Sequence, residues 1–414
     1  MNKLKLYGNP DSPEIYSIRD FLKRSVVDFE WFDTTVDHIG LNQEITGLYD
    51  ENKHPVIEFP DGKVVVNPTL EQIACSLGWI TKPKYSEYDL SIYGAGPAGL
   101  SAAVYAASEG LKTILIEREA VGGQAGTSSL IENYLGFPEG ISGANLAERA
   151  RQQALKFGVE ILLLKEGIKG TFRDNKIYVD FASGEKLVAR TNICATGVEY
   201  ARLNLPDEDR FFHKGVYYGA GASEAFFCQD KDLYIVGGGN SAGQAAVYFS
   251  GFAKSVFMVI RKGNLAETLS DYLIQRIAQI ENICVLYHSE VQALDGDSYL
   301  QRIKIVNSKE ESEQWHETSK LFICIGGKPN TEWAAETAIC RDRNGYLYTG
   351  NDLINLEQYK GCWNLDRPPY HLETSVPGSF AAGDVRFNSV KRVASAVGEG
   401  AMAVTQVHQY LANL

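Results

Sequence analysis

Read by the spacing of its apolar positions, the chain is a series of short buried-strand runs separated by small-residue helical stretches. Tyr88-Asp-Leu-Ser-Ile-Tyr93 is an apolar run of strand length, Leu100 to Gly110 is Ala-rich with helical spacing, and Lys112 to Ile116 is a second strand that ends in Glu117. The same order returns as a strand at Asp232 to Val236, a helix at Gln244 to Ser250 and a strand at Ser255 to Ile260. Ahead of both, Lys3 to Tyr7 reads as a strand and Ser17 to Lys23 as the start of a helix. His54 to Ile57 and Asp61 to Val66 follow as a strand pair, with a helix from Thr69. A final Ala-rich helix runs from Val393 to Leu411. Strands alternating with helices predict an α/β architecture with parallel sheets.

The turns carry the chemistry. Gly94-Ala-Gly96-Pro97-Ala98-Gly99 joins the first strand to its helix. Glycines there permit a tight turn and let a backbone approach a pyrophosphate at a helix N-terminus, and an acid about twenty residues on accepts ribose hydroxyls. Glu117 is that acid. The second copy has Gly237-Gly-Gly239-Asn240-Ser241-Ala242, but its next strand ends in Arg261-Lys262. Two cations suit a 2′-phosphate, which favours NADPH over NADH. Two such modules in one chain look like a two-dinucleotide flavoprotein; Ala195-Thr-Gly197 ends another strand, and Gly383-Asp384 precedes the last helix, where in such proteins an aspartate commonly meets a flavin ribityl hydroxyl.

Composition narrows this picture. With 414 residues, 44% apolar and 22% charged, the chain is long enough for two or three folded domains. Forty Lys+Arg against 52 Asp+Glu give a net charge of −12, which disfavours nucleic acid as a partner. The first ten residues lack an apolar signal core, and no apolar run reaches membrane-spanning length, so the expectation is a cytoplasmic protein without a membrane partner. Seven cysteines stand with no two in C-x-x-C spacing, which argues against a disulfide framework or a zinc site.

Over roughly residues 86–414 the chain resembles thioredoxin reductases of the small bacterial type. The matching segments are Gly94 to Gly99, Gly122-Gly123-Gln124, Ile131-Glu-Asn133-Tyr134, Ala195 to Gly197, Gly237 to Ala242, Ile325 to Thr331 and Ala382 to Val385. The resemblance implies FAD in the first module and NADP(H) in the second. Residues 88–202 and 325–414 would form a split FAD domain around an NAD(P)-binding domain at 203–324. The implied FAD contacts are Gly94, Gly96, Pro97, Ala98, Gly99, Glu117, Gly123, Gln124, Asn133, Ala195, Gly383, Asp384, Lys391, Arg392 and Val393. The implied nicotinamide-nucleotide contacts are Gly237, Gly239, Asn240, Ser241, Arg261 and Lys262. Residues 1–80 resemble a glutaredoxin-like thioredoxin fold, with Pro55 at the place of that family's cis-proline and residues 81–87 as a linker.

Four departures from those families stand out. In the N-terminal module Ser12 and Ile15 occupy the two cysteine positions, and in the reductase part the C-x-x-C falls on Ala220-Gly-Ala-Ser223, followed by Glu224. The second-site basic cluster is reduced to Arg261-Lys262, with Ala266 where a further arginine is expected. Lys391-Arg392-Val393 replaces Arg-Gln-Ala at the start of the last helix. Thr349 to Tyr370 is longer than expected and carries Tyr359, Trp363 and Tyr370, as a lid or an interface would.

The expected activity is hydride transfer from NAD(P)H to FAD, then electron transfer to an unidentified acceptor such as a quinone, a ferredoxin-like protein, free flavin or oxygen. Neither a metal nor a catalytic acid–base residue is required. Disulfide reduction is not expected, and the resemblance implies a homodimer. Two other readings stay open at this level. One is a flavoenzyme independent of pyridine nucleotide, linked to ferredoxin or holding a second nucleotide at Gly237. The other is a non-catalytic flavin-binding sensor whose N-terminal module is a partner surface. Ferredoxin–NADP reductases of this type carry an aromatic extension beyond the last helix, whereas here Asn413-Leu414 follow it directly.

Overall fold

The computed structural model describes residues 3–10, 12–35, 45, 47–49, 54–79, 82–128, 130–219, 225–355, 363 and 365–414. The N-terminal module contains β1 (Leu4–Gly8), α1 (Pro13–Arg24), β2 (Phe29–Asp33), β3 (Val56–Glu58), β4 (Val64–Val66) and α2 (Leu70–Ser76), with sheet order β2-β1-β3-β4. β1 and β2 are parallel, and β3 and β4 are antiparallel additions. Helix α1 begins four residues ahead of the Ser17 expectation. Ser12 caps it by accepting from the Ile15 N–H at 3.3 Å, Pro13 fits the first turn and Glu14 complements the dipole. Ser12, at a cysteine position of the resembled family, is therefore a helix cap. No described peptide bond is cis, so Pro55 precedes β3 in the trans form, and its carbonyl accepts from the Asn67 N–H at 2.7 Å.

The next module is built on β5 (Tyr88–Tyr93), α3 (Pro97–Ser108), β6 (Thr113–Glu117), α4 (Gly143–Lys156) and β7 (Glu160–Leu163). A meander of β8 (Gly167–Arg173), β9 (Lys176–Phe181) and β10 (Lys186–Cys194) follows. The sheet runs β7-β6-β5-β10-β9-β8. The chain leaves through β11 (Val198–Tyr200) and enters a second parallel sheet. That sheet is made of β12 (Val216–Tyr218), β13 (Asp232–Val236), α5 (Asn240–Ser250), β14 (Ser255–Val259), α6 (Asp271–Ala278) and β15 (Ile283–Leu286). An antiparallel trio packs beside it: β16 (Ser289–Asp295), β17 (Arg302–Asn307) and β18 (Ser312–Glu317). β19 (Leu321–Ile323) completes the second sheet in the order β12-β19-β13-β14-β15. The chain returns through β20 (Gly327–Pro329), which lies antiparallel to β11. β21 (Ser379–Ala381) then joins β10 in the first sheet, and α7 (Val393–Ala412) lies over α3.

The N-terminal module packs on both others. Ala120, from the loop after β6, belongs to its apolar core, and Trp79, edge-on to Phe21 at 5.7 Å, packs against the apolar core around β5 and α3. Lys165 pairs with Glu71 of α2 at 3.3 Å. On the other side of α1, the Tyr16 ring lies 4.2 Å from His213 and 5.6 Å from Tyr217. Among the described residues no helix is long and apolar enough to cross a membrane. Of the long segment after Thr349, residues 356–362 and 364, including Tyr359, lie outside the described residues. Its far end is tied down by Arg367, which pairs with the fully buried Glu373 at 2.7 Å and lies 4.5 Å from the Tyr370 ring centre.

Candidate functional site

The two modules build the same turn. Gly94 follows β5 with φ +100°, and a Cβ there would lie 2.3 Å from the Ala195 carbonyl oxygen at the end of β10. Gly237 follows β13 with φ +139°, and a Cβ there would lie 2.3 Å from the Cys324 carbonyl oxygen at the end of β19. Only glycine satisfies both the torsion and the close approach. Each turn delivers a helix, α3 or α5, whose cap is a glycine without a side-chain hydrogen bond. First-turn N–H groups and the positive end of the dipole are left to face an anion. Gly99 is buried, and a Cβ there would sit 1.8 Å from the Gly94 oxygen, so its part is to let α3 close on the turn.

One cavity of about 550 Å³ opens at this end of the first sheet, a size suited to a cofactor or small ligand. Gly94, Gly96, Pro97, Ala98 and Glu117 line it from the βαβ unit; Gly123 and Gln124 line it from the following loop, and Ala195 from β10's end. Gly383, Asp384, Lys391, Arg392 and Val393 line it from the C-terminal segment. Fourteen of the candidates meet here if Ser241 of α5 is counted with these thirteen. Asn133 does not line the cavity; it is exposed on the loop after Ile131.

The polar groups fit a dinucleotide. The Glu117 carboxylate is buried and accepts the backbone N–H of Ala95 at 2.7 Å and of Glu119 at 2.9 Å. Burial pushes its pKa up, with those two N–H donors opposing the shift. Asp384 has no hydrogen-bond partner among the described residues, and burial raises its pKa against the opposing charge of Lys391. A half-buried carboxylate with free acceptor capacity is the group a ligand hydroxyl would satisfy. The Lys391 ammonium donates to the Tyr346 hydroxyl at 2.6 Å, and Arg392 is the backbone cap of α7, whose N-terminus faces the cavity. The Gln124 side chain is fixed by donating to the Val198 carbonyl at 2.7 Å.

Sequence reading missed several contributors. Arg386 donates from Nε and Nη2 to Glu399 of α7 at 3.0 and 2.7 Å, and Glu399 also accepts the Gly383 N–H at 2.6 Å. This ion pair holds the backbone that presents Asp384. Trp333 and Gln244 also line the cavity, as does Arg24 of the N-terminal module. An arginine after a cofactor-contacting aspartate is a weak sequence signal; none exists for Arg24, which lies in a different module.

The second turn stands apart in part. Ser241, Gln244 and Ala245 of α5 reach the cavity, but Gly237, Gly239, Asn240, Arg261 and Lys262 do not line it. The Asn240 side-chain oxygen accepts from the Ser270 N–H at 2.8 Å and its hydroxyl at 3.0 Å, which locks the start of α5 to that of α6. Arg261 and Lys262 are exposed just beyond β14, and Lys262 pairs with Glu267 at 2.5 Å. Burial pushes the Cys194 and Cys324 thiols up to about 12, so neither is poised as a thiolate. Ala220 to Ser223 and Glu224 lie outside the described residues.

Comparison with known proteins agrees with this geometry. The family model described as pyridine nucleotide-disulphide oxidoreductase matches residues 88–400. A thioredoxin reductase of Chlamydia trachomatis is 33% identical over 332 residues, covering 78% of this chain and 98% of its own length. That of Bacillus subtilis is 34% identical over 331 residues, covering 79% and 96% respectively. Among solved structures, Lactococcus lactis thioredoxin reductase, in a form described as the FR conformation, has a TM-score of 0.70 at 28% identity, covering 79% of this chain and 100% of its own. Thioredoxin reductase of T. acidophilum has a TM-score of 0.69 at 27% identity, covering 78% and 99%. Nearly the full length of these relatives is thus matched, while the family match begins only at residue 88. This chain belongs to the pyridine nucleotide-disulphide oxidoreductase family and is a thioredoxin reductase-like FAD oxidoreductase.

Proposed function

We propose that the protein moves reducing equivalents from NAD(P)H to FAD and from FAD directly to an acceptor, without an internal dithiol. The observation that carries this reading is the shared cavity: the first turn of α5, from the nicotinamide-nucleotide module, lines the same space as the FAD-site residues. Bound FAD would supply the hydride-accepting ring and the return of electrons to the acceptor. The chain's own part is positional. The α3 N-terminus and Gly96 would receive the pyrophosphate, Glu117 the adenosine ribose and Asp384 a ribityl hydroxyl. The α7 N-terminus with Arg392 favours negative charge at the flavin's edge. Ser241 and Gln244 would direct the nicotinamide toward the ring, and Arg261 would meet a 2′-phosphate.

The absence of any C-x-x-C in the sequence supports direct transfer, as does the burial of the Cys324 thiol that borders the cavity. The N-terminal module, whose β2-β1-β3-β4 sheet has the strand order of a glutaredoxin-like fold, serves as a brace. Its α1 touches both dinucleotide modules, and its cysteine positions hold Ser12 and Ile15. The test compares acceptors with the pure protein and NADPH. Steady reduction of a small quinone without reduction of thioredoxin disulfide is expected; turnover of thioredoxin disulfide would overturn the reading.

A further inference from the structure

The N-terminal module sends one side chain into the FAD cavity. Arg24 is the last residue of α1, its side chain only 13% exposed, and it lines the cavity beside Glu117 and Glu119. Its hydrogen bonds are few and long. Nη1 donates to Glu119 at 3.3 Å and lies 3.5 Å from Asp20, and Nη2 donates to the Ala120 carbonyl at 3.4 Å. The buried Nε has no hydrogen-bond partner among the described residues. A buried guanidinium with five donors and so little return is under-satisfied, and such groups are rare unless a missing acceptor completes them. Its surroundings say which acceptor. Glu117 closes β6, where an acid holds the adenosine ribose in this kind of site, and Arg24 lines the same cavity within reach of its charge. The loop that carries Glu119 and Ala120 is held against α1, because Ala120 is part of the N-terminal module's own core.

We propose that Arg24 is a cofactor-binding residue: the N-terminal module completes the FAD site by donating to acceptors on the adenosine half of the dinucleotide. The appended module is then part of the flavin site itself. This rests on the reading of the cavity as the FAD site, and the two can fail separately.

The test uses full-length protein stripped of flavin and titrated with FAD, for wild type, Arg24→Ala, Arg24→Lys and Glu71→Ala. Glu71 pairs with Lys165 between the same two modules and does not itself line the cavity; Lys165, which does, keeps its second partner Glu185 at 3.4 Å, so the variant reports loosened docking with that lysine still paired. The expected result is FAD affinity at least about tenfold weaker in Arg24→Ala, the scale of a lost charge-assisted hydrogen bond. An intermediate loss is expected in Arg24→Lys, which keeps the charge but not the fork, and little change in Glu71→Ala. Flavin-free melting temperatures should match across the set, while the rise on adding FAD shrinks only for the Arg24 variants. Should Arg24→Ala not fold, Arg24→Lys reads the same comparison. Wild-type affinity in both Arg24 variants, or an equal loss in Glu71→Ala, would overturn the role of Arg24 and leave the cavity reading intact. Failure of wild type to bind FAD would overturn both.

Discussion

Arg261 and Lys262 lie just beyond β14, where an acid would bind a free ribose hydroxyl, yet they are unequal. Lys262 is already neutralised by Glu267, which leaves Arg261 as the cation able to meet a 2′-phosphate. Arg261→Glu is therefore expected to weaken NADPH by about tenfold or more while leaving NADH nearly unchanged; the ratio of the two dissociation constants, from flavin-reduction kinetics, checks this. At this scale the readable residues were those whose local chemistry is repeated in the sequence. Gly94 and Gly237 are legible because a strand–turn–helix leaves no room for a Cβ. Arg24, Arg386 and Glu399 were not, because their meaning comes from partners brought together only by folding: Arg24 meets Glu119 from another module, and Glu399 reaches back to Gly383 from the middle of a helix.

Among the elements, strands and dinucleotide helices are legible from apolar runs and glycine turns, but helix starts are not: α1 and α5 each begin four residues, and α3 three residues, ahead of the expected positions. The Ser-Pro-Glu cap signal at Ser12, where the resembled family has a cysteine, marks the true start of α1. The long segment after Thr349 was legible only as an excess of length with aromatic residues. Its described end is fixed by Arg367, whose two terminal nitrogens reach Glu373 at 2.7 and 2.8 Å, and Glu373 also accepts the N–H of Tyr370 and Gly378. Removing the arginine leaves a fully buried carboxylate short of its counter-charge. Arg367→Ala should cost roughly 2 kcal/mol or more, discounted because the arginine itself is partly exposed. Urea unfolding at neutral pH measures it, and a loss under about 0.5 kcal/mol, the scale of an ordinary surface change, would show that the pair does not anchor the segment.

For the whole molecule, α1 couples the modules. At one end Arg24 reaches Glu119, and along its length the Tyr16 ring packs at a tilt against His213, whose pKa burial lowers to about 4. A buried neutral histidine that protonates near 6.5 when exposed makes the separated or unfolded form bind the extra proton. Stability and docking should thus be constant above about pH 6.5 and fall as pH drops toward about 4, where the buried ring itself takes a proton. Melting temperature and protease sensitivity around residue 213 across that window, compared with His213→Phe, check the sign; His213→Phe should remove this component of the acid loss.

On the proposed function a flavin, and no dithiol, stores the electrons. Anaerobic titration of the FAD-loaded protein with NADPH, following the visible flavin band, counts that storage directly. Flavin alone takes two electrons, so full bleaching at about one NADPH per FAD is predicted. A requirement for about two equivalents would reveal a reducible disulfide beside the flavin, and a band that stays oxidised with NADPH and NADH yet bleaches with dithionite would show that no pyridine nucleotide delivers hydride here; either result would contradict the account.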